Sequence, residues 1–139
     1  MNIQLITCNY KDNENEICTI RFEVFVAEQK VPKDLEIDGL DDQAKHVLAY
    51  IDGIAVGTGR ILNDGHIGRV AVQKKYRSLG IGKSIMQELI KTAQEDKVKT
   101  LWLSSQSHAS GFYLDLGFEC IGKKFKEAGI DHIKMIKKL

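Results

Sequence analysis

The chain has 139 residues, enough for one domain with one hydrophobic core, and we expect a single domain over residues 1–139. Its 20 Lys+Arg and 19 Asp+Glu give a formal net charge of +1, which lacks the basic excess typical of general nucleic-acid binding. The three cysteines are widely spaced and form no C-x-x-C pair, so neither a disulfide framework nor a zinc site is expected.

The N-terminal segment shows a strand followed by a helix. No basic leader precedes an apolar run, and no apolar stretch nears the ~20 residues that cross a bilayer, so we expect a cytoplasmic protein. A strand is predicted at residues 3–7, and from about residue 12 apolar side chains recur at helical spacing. Arg21 falls on the apolar face of this helix, where an arginine needs a partner or lines a cleft. Residues 30–45 are irregular and acidic.

Three strands joined by tight turns follow this acidic segment. They are predicted at residues 46–51, 54–62 and 67–72. Asp52 and Gly53 favour a type I′ turn, because both central residues of that turn need a positive φ. The three strands are therefore expected to form an antiparallel meander.

The C-terminal half alternates helices with strands. A helix is predicted from residue 81, a strand at 100–104, a second helix at about 109–116, and a final hairpin at 118–126 and 130–137. The buried face of the first helix is expected to consist of Ile81, Ile85, Met86, Leu89, Ile90 and Ala93. The order β-α-β-β-β-α-β-α-β-β predicts an α/β (α+β) fold: a mixed, mostly antiparallel central sheet of about six to seven strands, flanked by helices.

A glycine-containing turn, Arg77-x-x-Gly80-x-Gly82, opens the helix at residue 81. The first N–H groups of a helix have no internal partner, and the macrodipole places partial positive charge there. Glycines at 80 and 82 lack the Cβ atoms that would hold a phosphate away from these amides, so a diphosphate can bind with help from Arg77. Taken alone, the pattern is equally typical of a tight turn. A dinucleotide fingerprint needs a third glycine, and a Walker A loop needs an earlier one.

Two motifs about thirty residues apart carry a family resemblance. Strand 70–72 with the glycine turn resembles the acetyl-CoA-binding motif of the GNAT N-acetyltransferase superfamily, and Phe112-Tyr113-x-x-x-Gly117-Phe118 resembles its second signature. The element order is similar along nearly the whole chain. Further residues resemble the ElaA-like group of small bacterial acetyltransferases; they are Arg21, Phe25, Glu28, Gln29, Asp38, His46, Gly68, Arg69, Val70, Gln106 and His108.

The resemblance implies an N-acetyltransferase that moves an acetyl group from acetyl-CoA to a primary amine by direct attack in a ternary complex. It places the thioester along strand 70–72 and the diphosphate on the glycine turn. Ser78 departs mildly from the family loop, which often has glycine after the arginine. The implied cofactor-binding residues are Val70, Ala71, Val72, Arg77, Ser78, Leu79, Gly80, Ile81, Gly82, Lys83, Phe112 and Tyr113.

The catalytic roles also follow from the resemblance. Tyr113 is implied to protonate the departing thiolate, since a phenol of pKa ~10 is protonated at neutral pH; a half-buried packing tyrosine is the alternative. The superfamily has no universal base. Glu28 is a tentative base or acceptor contact, and Arg21, Asp38 and His108 are tentative acceptor-side residues.

The other histidines are assigned no chemistry at this point. His46, at a strand start, is expected to be structural, and His66 and His132 are expected on the surface of strands. No pair of histidines has the spacing of metal ligands, and no metal is expected.

Two further functions stay open. One set of residues resembles the N-terminal signature of acyl-homoserine-lactone synthases, GNAT-like enzymes that take acyl groups from acyl-carrier protein: Arg21, Phe25, Glu36, Asp38, Asp41 and Arg60. Arg21, Asp38 and Asp41 can instead form a buried ionic latch. A non-catalytic module that binds acetyl-CoA is the other alternative. The expected partner is a small-molecule or peptide amine; no nucleic acid or membrane partner is expected, and a homodimer is left open.

Overall fold

The structure is a computed structural model that describes residues 2–139. The helices are α1 (Tyr10–Arg21), which continues as a π-helical segment (Phe22–Glu28), α2 (Lys33–Glu36), α3 (Ile81–Glu95) and α4 (Ser110–Leu114). The strands are β1 (Ile3–Cys8), β2 (Lys45–Ile51), β3 (Ile54–Ile61), β4 (Ile67–Val72), β5 (Thr100–Gln106), β6 (Glu119–Glu127) and β7 (Ile130–Lys138). Short 3-10 turns lie at Asp41–Gln43, Lys74–Tyr76 and Ser107–Ala109.

The first four strands form an antiparallel sheet in the order β1-β2-β3-β4. The turn between β2 and β3 has positive φ at Asp52 (49°) and Gly53 (83°), as a type I′ turn requires. Helix α3 packs closely on one face, because a Cβ atom at Gly57 would lie 2.9 Å from the side chain of Ile85. Most of the buried apolar side chains lie in this layer.

Helix α1 covers the opposite face of the same sheet. Its buried residues Ile17 and Ile20, with Val24 from the π-helical segment, pack with Leu48 of β2 and Ala71 of β4. Side chains alternate between the two faces of a strand, so Val47 and Ala49 belong to the α3 layer and Leu48 to the α1 layer.

The last three strands form a second antiparallel sheet in the order β5-β7-β6. Within residues 2–139, a single parallel bridge between His66 and Trp102 pairs the two sheets. Beyond this bridge β4 and β5 diverge. The predicted central sheet of six to seven strands is therefore present as seven strands divided into a four-stranded and a three-stranded part.

The predicted α/β class and element order are confirmed, and the differences lie at element ends. The helix predicted at residues 109–116 is shorter in the structure. The 3-10 turn Ser107–Ala109 precedes it, and α4 spans Ser110–Leu114. Gly117 follows with a φ of 91°, the left-handed conformation common after a helix C-terminus. Among the helices of residues 2–139, none is long and apolar enough to cross a membrane.

Candidate active site

A cleft of about 700 Å³ opens where β4 and β5 diverge. One wall is β4, and the other is the C-terminal part of β5 with α4. The start of α3 closes one end, and α2 and the β6–β7 hairpin surround the other. Val24 and Phe25 of the π-helical segment also line the cleft. The lining residues used below are Leu35, Glu36, His66, Arg69, Val70, Ala71, Val72, Arg77, Ser78, Gly80, Ile81, Gly82, Lys83, Gln106, His108, Phe112, Tyr113, Glu127, Ile130 and His132.

The β4 wall offers main-chain groups to the cleft. β4 pairs with β3 along one edge, while its other edge faces β5 across the cleft. Arg69 and Val70 together lie opposite the single residue Gly59, because Gly68 pairs with Arg60 and Ala71 with Thr58. This bulge, with a φ of 53° at Arg69, changes the direction of the strand inside the cleft. An extended ligand arm can hydrogen-bond the free edge as an added strand would.

The start of α3 presents uncapped amides at the end of the cleft. Among the described residues no side chain caps this helix, and its first internal backbone bond runs from Ser84 N–H to the Gly80 carbonyl at 3.1 Å. Gly80 has a φ of 82°, which favours glycine. A Cβ atom at Gly82 would lie 3.6 Å from the Phe112 ring, so glycine leaves open space there. Free amides and a helix dipole suit a diphosphate.

Tyr113 and Phe112 line the cleft from α4. The half-buried Tyr113 ring lies edge-on to Phe112, with centroids 5.0 Å apart, and to the buried Phe118 at 6.1 Å. Burial raises the pKa of Tyr113 to about 12, and no described residue hydrogen-bonds its hydroxyl. The phenol is therefore protonated at neutral pH and free to donate to a ligand.

Five charged residues at one wall of the cleft form what we name the ionic cluster: Arg21, Glu36, Asp38, Asp41 and Arg60. Arg21 is 2% exposed; its Nε donates to Glu36 and its Nη1 to Asp41 at 2.6 Å. Arg60 donates to Asp41 at 2.8 Å and to both carboxylate oxygens of Asp38. Burial would raise the pKa of Asp41 and of Asp38, but hydrogen bonds from the arginines lower both below their usual range.

The ionic cluster holds residues 33–43 against the sheet. Arg69 extends it, because its Nη2 donates to the Leu35 and Glu36 carbonyls at 3.2 and 3.1 Å and to Asp38 at 3.2 Å. Leu35, Glu36 and Arg69 in turn line the cleft. The buried charges therefore fix one wall of the cleft opposite the β6–β7 hairpin.

Residues 6–139 match the profile of the acetyltransferase (GNAT) domain family. The chain belongs to the GNAT acetyltransferase family. The uncharacterized N-acetyltransferase YjcF of Bacillus subtilis is 38% identical over 122 residues, covering 85% of this chain and 87% of YjcF. Protein ElaA of Escherichia coli is 30% identical over 128 residues, covering 86% of this chain and 84% of ElaA. These matches confirm the resemblance to the ElaA-like group.

Solved structures agree with this assignment. An acyl-CoA N-acyltransferase from Pseudomonas aeruginosa has a TM-score of 0.87 at 29% identity, covering 98% of this chain and 99% of that one. The crystal structure of Escherichia coli ElaA has the same TM-score at 27% identity, covering 97% and 99%. GNAT membership implies an acyl-CoA cosubstrate, and the divergent strands and uncapped helix start described above fit one.

The predicted coenzyme A residues converge on the cleft, with two qualifications. The side chain of Leu79 is exposed and lies outside the lining, so this residue can contribute its main chain only. Ser78 has a φ of 65°, a conformation that favours the glycine often found at this point of the GNAT loop. Among residues 2–139, no group of three or more His, Cys, Asp or Glu side chains is arranged to hold a metal.

Glu28 lies at the glycine turn rather than at the acceptor end. Its two carboxylate oxygens accept from Arg77 at 2.6 and 2.7 Å, and the Arg77 Nε donates to the Val72 carbonyl at 2.9 Å. These hydrogen bonds lower the pKa of Glu28, which weakens it as a base. The structure therefore gives no geometric support to the predicted base role, and it shows Arg77 already paired.

Three other predicted acceptor residues have different outcomes. Arg21 and Asp38 lie outside the cleft lining and are paired within the ionic cluster, which supports a structural role and gives no geometric support to the predicted substrate contacts. His108 does line the cleft, just before α4, with an exposed side chain. His46 is buried, with Nε2 2.9 Å from the Asp41 carbonyl, as expected of a structural histidine.

Two more histidines line the cleft, although the sequence did not predict either of them there. His132 is 8% exposed, and His66 is half-buried with its ring stacked 3.7 Å from that of Trp102. Expecting both at the surface was wrong. His132 is covered by its register neighbours on both sides, Gln106 of β5 and Phe125 of β6, and His66 is covered by Trp102. The strand order that brings these side chains together was the missing signal.

Proposed function

We propose that the protein transfers an acetyl group from acetyl-CoA to a primary amine by direct attack in a ternary complex. The observation that carries this proposal is the cleft between the divergent strands β4 and β5, which ends on the uncapped amides at Gly80–Lys83. This arrangement offers an edge strand for an extended arm along one wall of the groove and a partially positive helix start for a diphosphate at its end.

Main-chain groups would perform most of the binding. The diphosphate would lie on the amides at the start of α3, and the pantetheine arm would run along Val70–Val72. An N–H at the bulge of β4 can be aimed at the thioester oxygen, where it would stabilise the negative charge that develops during attack. Because these contacts use backbone, Val70 and Val72 also serve as packing residues.

Tyr113 would donate a proton to the coenzyme A sulfur as the C–S bond breaks. Its hydroxyl is protonated at neutral pH, without a partner among the described residues, and lines the same cleft as the β4 edge. Proton donation of this kind contributes about 10²–10⁴-fold to a rate. The packing of the ring on Phe118 would hold the hydroxyl in place.

The test is release of free thiol from acetyl-CoA in the presence of a panel of amines: polyamines, amino sugars, amino acids and peptides with a free N-terminus. Thiol release with at least one amine, and none without an amine, is the expected result. Coenzyme A binding without thiol release from any amine would instead indicate a non-catalytic module. Transfer from acyl-carrier protein in preference to acetyl-CoA would indicate the lactone-synthase-like alternative.

The same proposal extends to the organisation of the chain. Residues 1–139 are proposed to act as one N-acetyltransferase domain, because the cleft draws its lining from both sheets and from α3 and α4. A cytoplasmic location, the absence of nucleic-acid and membrane partners, and the open question of a homodimer stay predictions from the sequence.

A further inference from the structure

The β6–β7 hairpin brings a histidine and a glutamate to the acceptor end of the cleft. Glu127 ends β6, and Ile130 and His132 begin β7; all three line the cleft together with Arg69 and Gln106. The mechanism proposed above uses none of these side chains. An amine that approaches the β4 bulge from the side opposite the glycine turn would meet them.

The geometry of His132 fixes its neutral tautomer. Its Nδ1 lies 2.7 Å from the Ile130 carbonyl oxygen. A carbonyl only accepts hydrogen bonds, so Nδ1 carries a proton and Nε2 keeps its lone pair whenever the ring is neutral. The ring is 8% exposed and stacks on Phe125 with centroids 5.9 Å apart, which restricts its rotation.

Glu127 lies next to the free nitrogen. Its Oε2 is 3.6 Å from His132 Nε2, which is within ion-pair distance of an imidazolium. The other elements around the ring contribute Gln106 from β5, which is neutral, and His66 and Arg69 from the β4 side of the cleft. Arg69 carries the charge that opposes protonation, and its guanidinium is held by the Leu35 and Glu36 carbonyls and by Asp38.

The two carboxylates that the sequence predicted on the acceptor side are poorly placed to take a proton from an amine. Glu28 is held by Arg77 through two hydrogen bonds, and Asp38 is held by Arg60 and Arg69 outside the cleft lining. An alkylamine of pKa ~10.4 is neutral about once in 10³ molecules at pH 7, so a poised proton acceptor accelerates its reaction.

We propose that His132 is the general base of this enzyme, positioned by the Ile130 carbonyl and assisted by Glu127; the inference rests on the proposed N-acetyltransferase function. Nε2 takes one proton from the ammonium form of the acceptor, which leaves a neutral amine and an imidazolium. The amine nitrogen bonds to the thioester carbon, the C–S bond breaks, and coenzyme A leaves as the thiol. Tyr113 supplies the proton of the thiol, and the tetrahedral nitrogen returns one proton to the Tyr113 phenolate. The acceptor loses two protons in all, one through His132 to solvent and one that restores Tyr113.

The decisive variant is His132→Asn. The asparagine amide can still donate to the Ile130 carbonyl but cannot take a proton. We expect kcat/KM for the amine to fall by about 10²-fold or more at pH 7, while the affinity for acetyl-CoA stays within threefold of the original. We also expect the pH at which kcat/KM levels off to move upward, toward the pKa of the amine itself, because the amine must then arrive already neutral.

A pair of glutamate variants on one strand separates the role of Glu127 from a general effect of charge. Glu127→Gln is expected to lower kcat/KM by about three- to tenfold, since the imidazolium loses its neighbour. Glu119→Gln removes an exposed carboxylate from the same strand, outside the cleft, and is expected to change kcat/KM by less than twofold. Equal effects of the two variants would remove Glu127 from the proposal.

The unmodified protein gives an independent measurement. Nitrogen-15 NMR of the histidine rings reports which nitrogen of His132 is protonated, and we expect the Nδ1–H tautomer in the neutral ring. An Nε2–H tautomer would overturn the proposal even if His132→Asn does not fold.

Two outcomes distinguish the base from the function as a whole. If the original protein is active and His132→Asn keeps kcat/KM within threefold at pH 7, with an unshifted pH profile, only the base role of His132 is rejected. An original protein that binds acetyl-CoA but releases no thiol with any amine rejects the proposed function, and the base role with it.

Discussion

Replacing Asp41 by Asn tests whether the ionic cluster holds the acceptor wall of the cleft in place. The Asp41 carboxylate is buried and accepts hydrogen bonds from Arg21 at 2.6 Å and Arg60 at 2.8 Å. Asparagine keeps the shape but removes the charge, so the buried guanidinium groups of Arg21 and Arg60 each lose a carboxylate partner. Breaking a buried ion pair in this way costs about 3–5 kcal/mol in the free energy of unfolding. For a chain of this size the corresponding fall in Tm is roughly 10–20 °C.

The assay is urea unfolding at pH 7, with Asp42→Asn as the matched control because Asp42 is the exposed neighbour on the same 3-10 turn. The control is expected to lie within 0.5 kcal/mol of the original protein, as is usual for surface substitutions. If the two variants unfolded at the same urea concentration with the same slope, the reasoning about buried charge would be refuted.

The same variant predicts a change in acid sensitivity. The folded-state pKa of Asp41 is lowered below its unfolded value of ~3.9, so its contribution is complete above that pH and is lost as pH falls toward the folded pKa. The original protein should therefore lose more unfolding free energy between pH 7 and pH 3 than Asp41→Asn does. Identical losses would contradict the proposed ion pairing.

Three further substitutions test the cofactor end of the cleft. Tyr113→Phe is expected to lower turnover by about 10²-fold while acetyl-CoA affinity, measured by calorimetry, changes little; an equal loss of both would remove the acid role. Gly82→Leu is expected to weaken acetyl-CoA binding by at least tenfold, because a side chain there fills the space in front of Phe112, and unchanged affinity would contradict the amide cradle. Glu28→Gln frees Arg77 for the diphosphate and is expected to tighten coenzyme A binding up to about fivefold; weaker binding would mean that the ion pair prepares Arg77 for its ligand.

Local sequence signals predicted the elements well, because the information lies within a few residues. The Asp52-Gly53 turn was predicted from the positive φ that it needs, and the structure has it. The periodicity of the helix from residue 81 predicted its buried face correctly, apart from a half-buried Ile90. Arg21 on an apolar helix face correctly predicted a buried partner, which proves to be Glu36 together with Asp41.

The features that the sequence could not supply depend on contacts between distant segments. β4 and β5 are joined through a single bridge between His66 and Trp102, and the cleft forms where they separate beyond it. No local sequence pattern indicates this separation. The pairing of Glu28 with Arg77 joins residues far apart in the chain, and spacing alone placed Glu28 near the acceptor. The burial of His132 depends on Gln106 of β5 and Phe125 of β6, which strand order places on either side of it.

Calorimetric titration of acetyl-CoA into the intact protein shows whether the cleft binds this cosubstrate. The cleft between β4 and β5 and the uncapped start of α3 predict one site per chain, with a Kd between about 1 μM and 1 mM, the usual range for enzyme substrates. No detectable heat at millimolar ligand, for a protein that circular dichroism shows to be folded, would contradict the account.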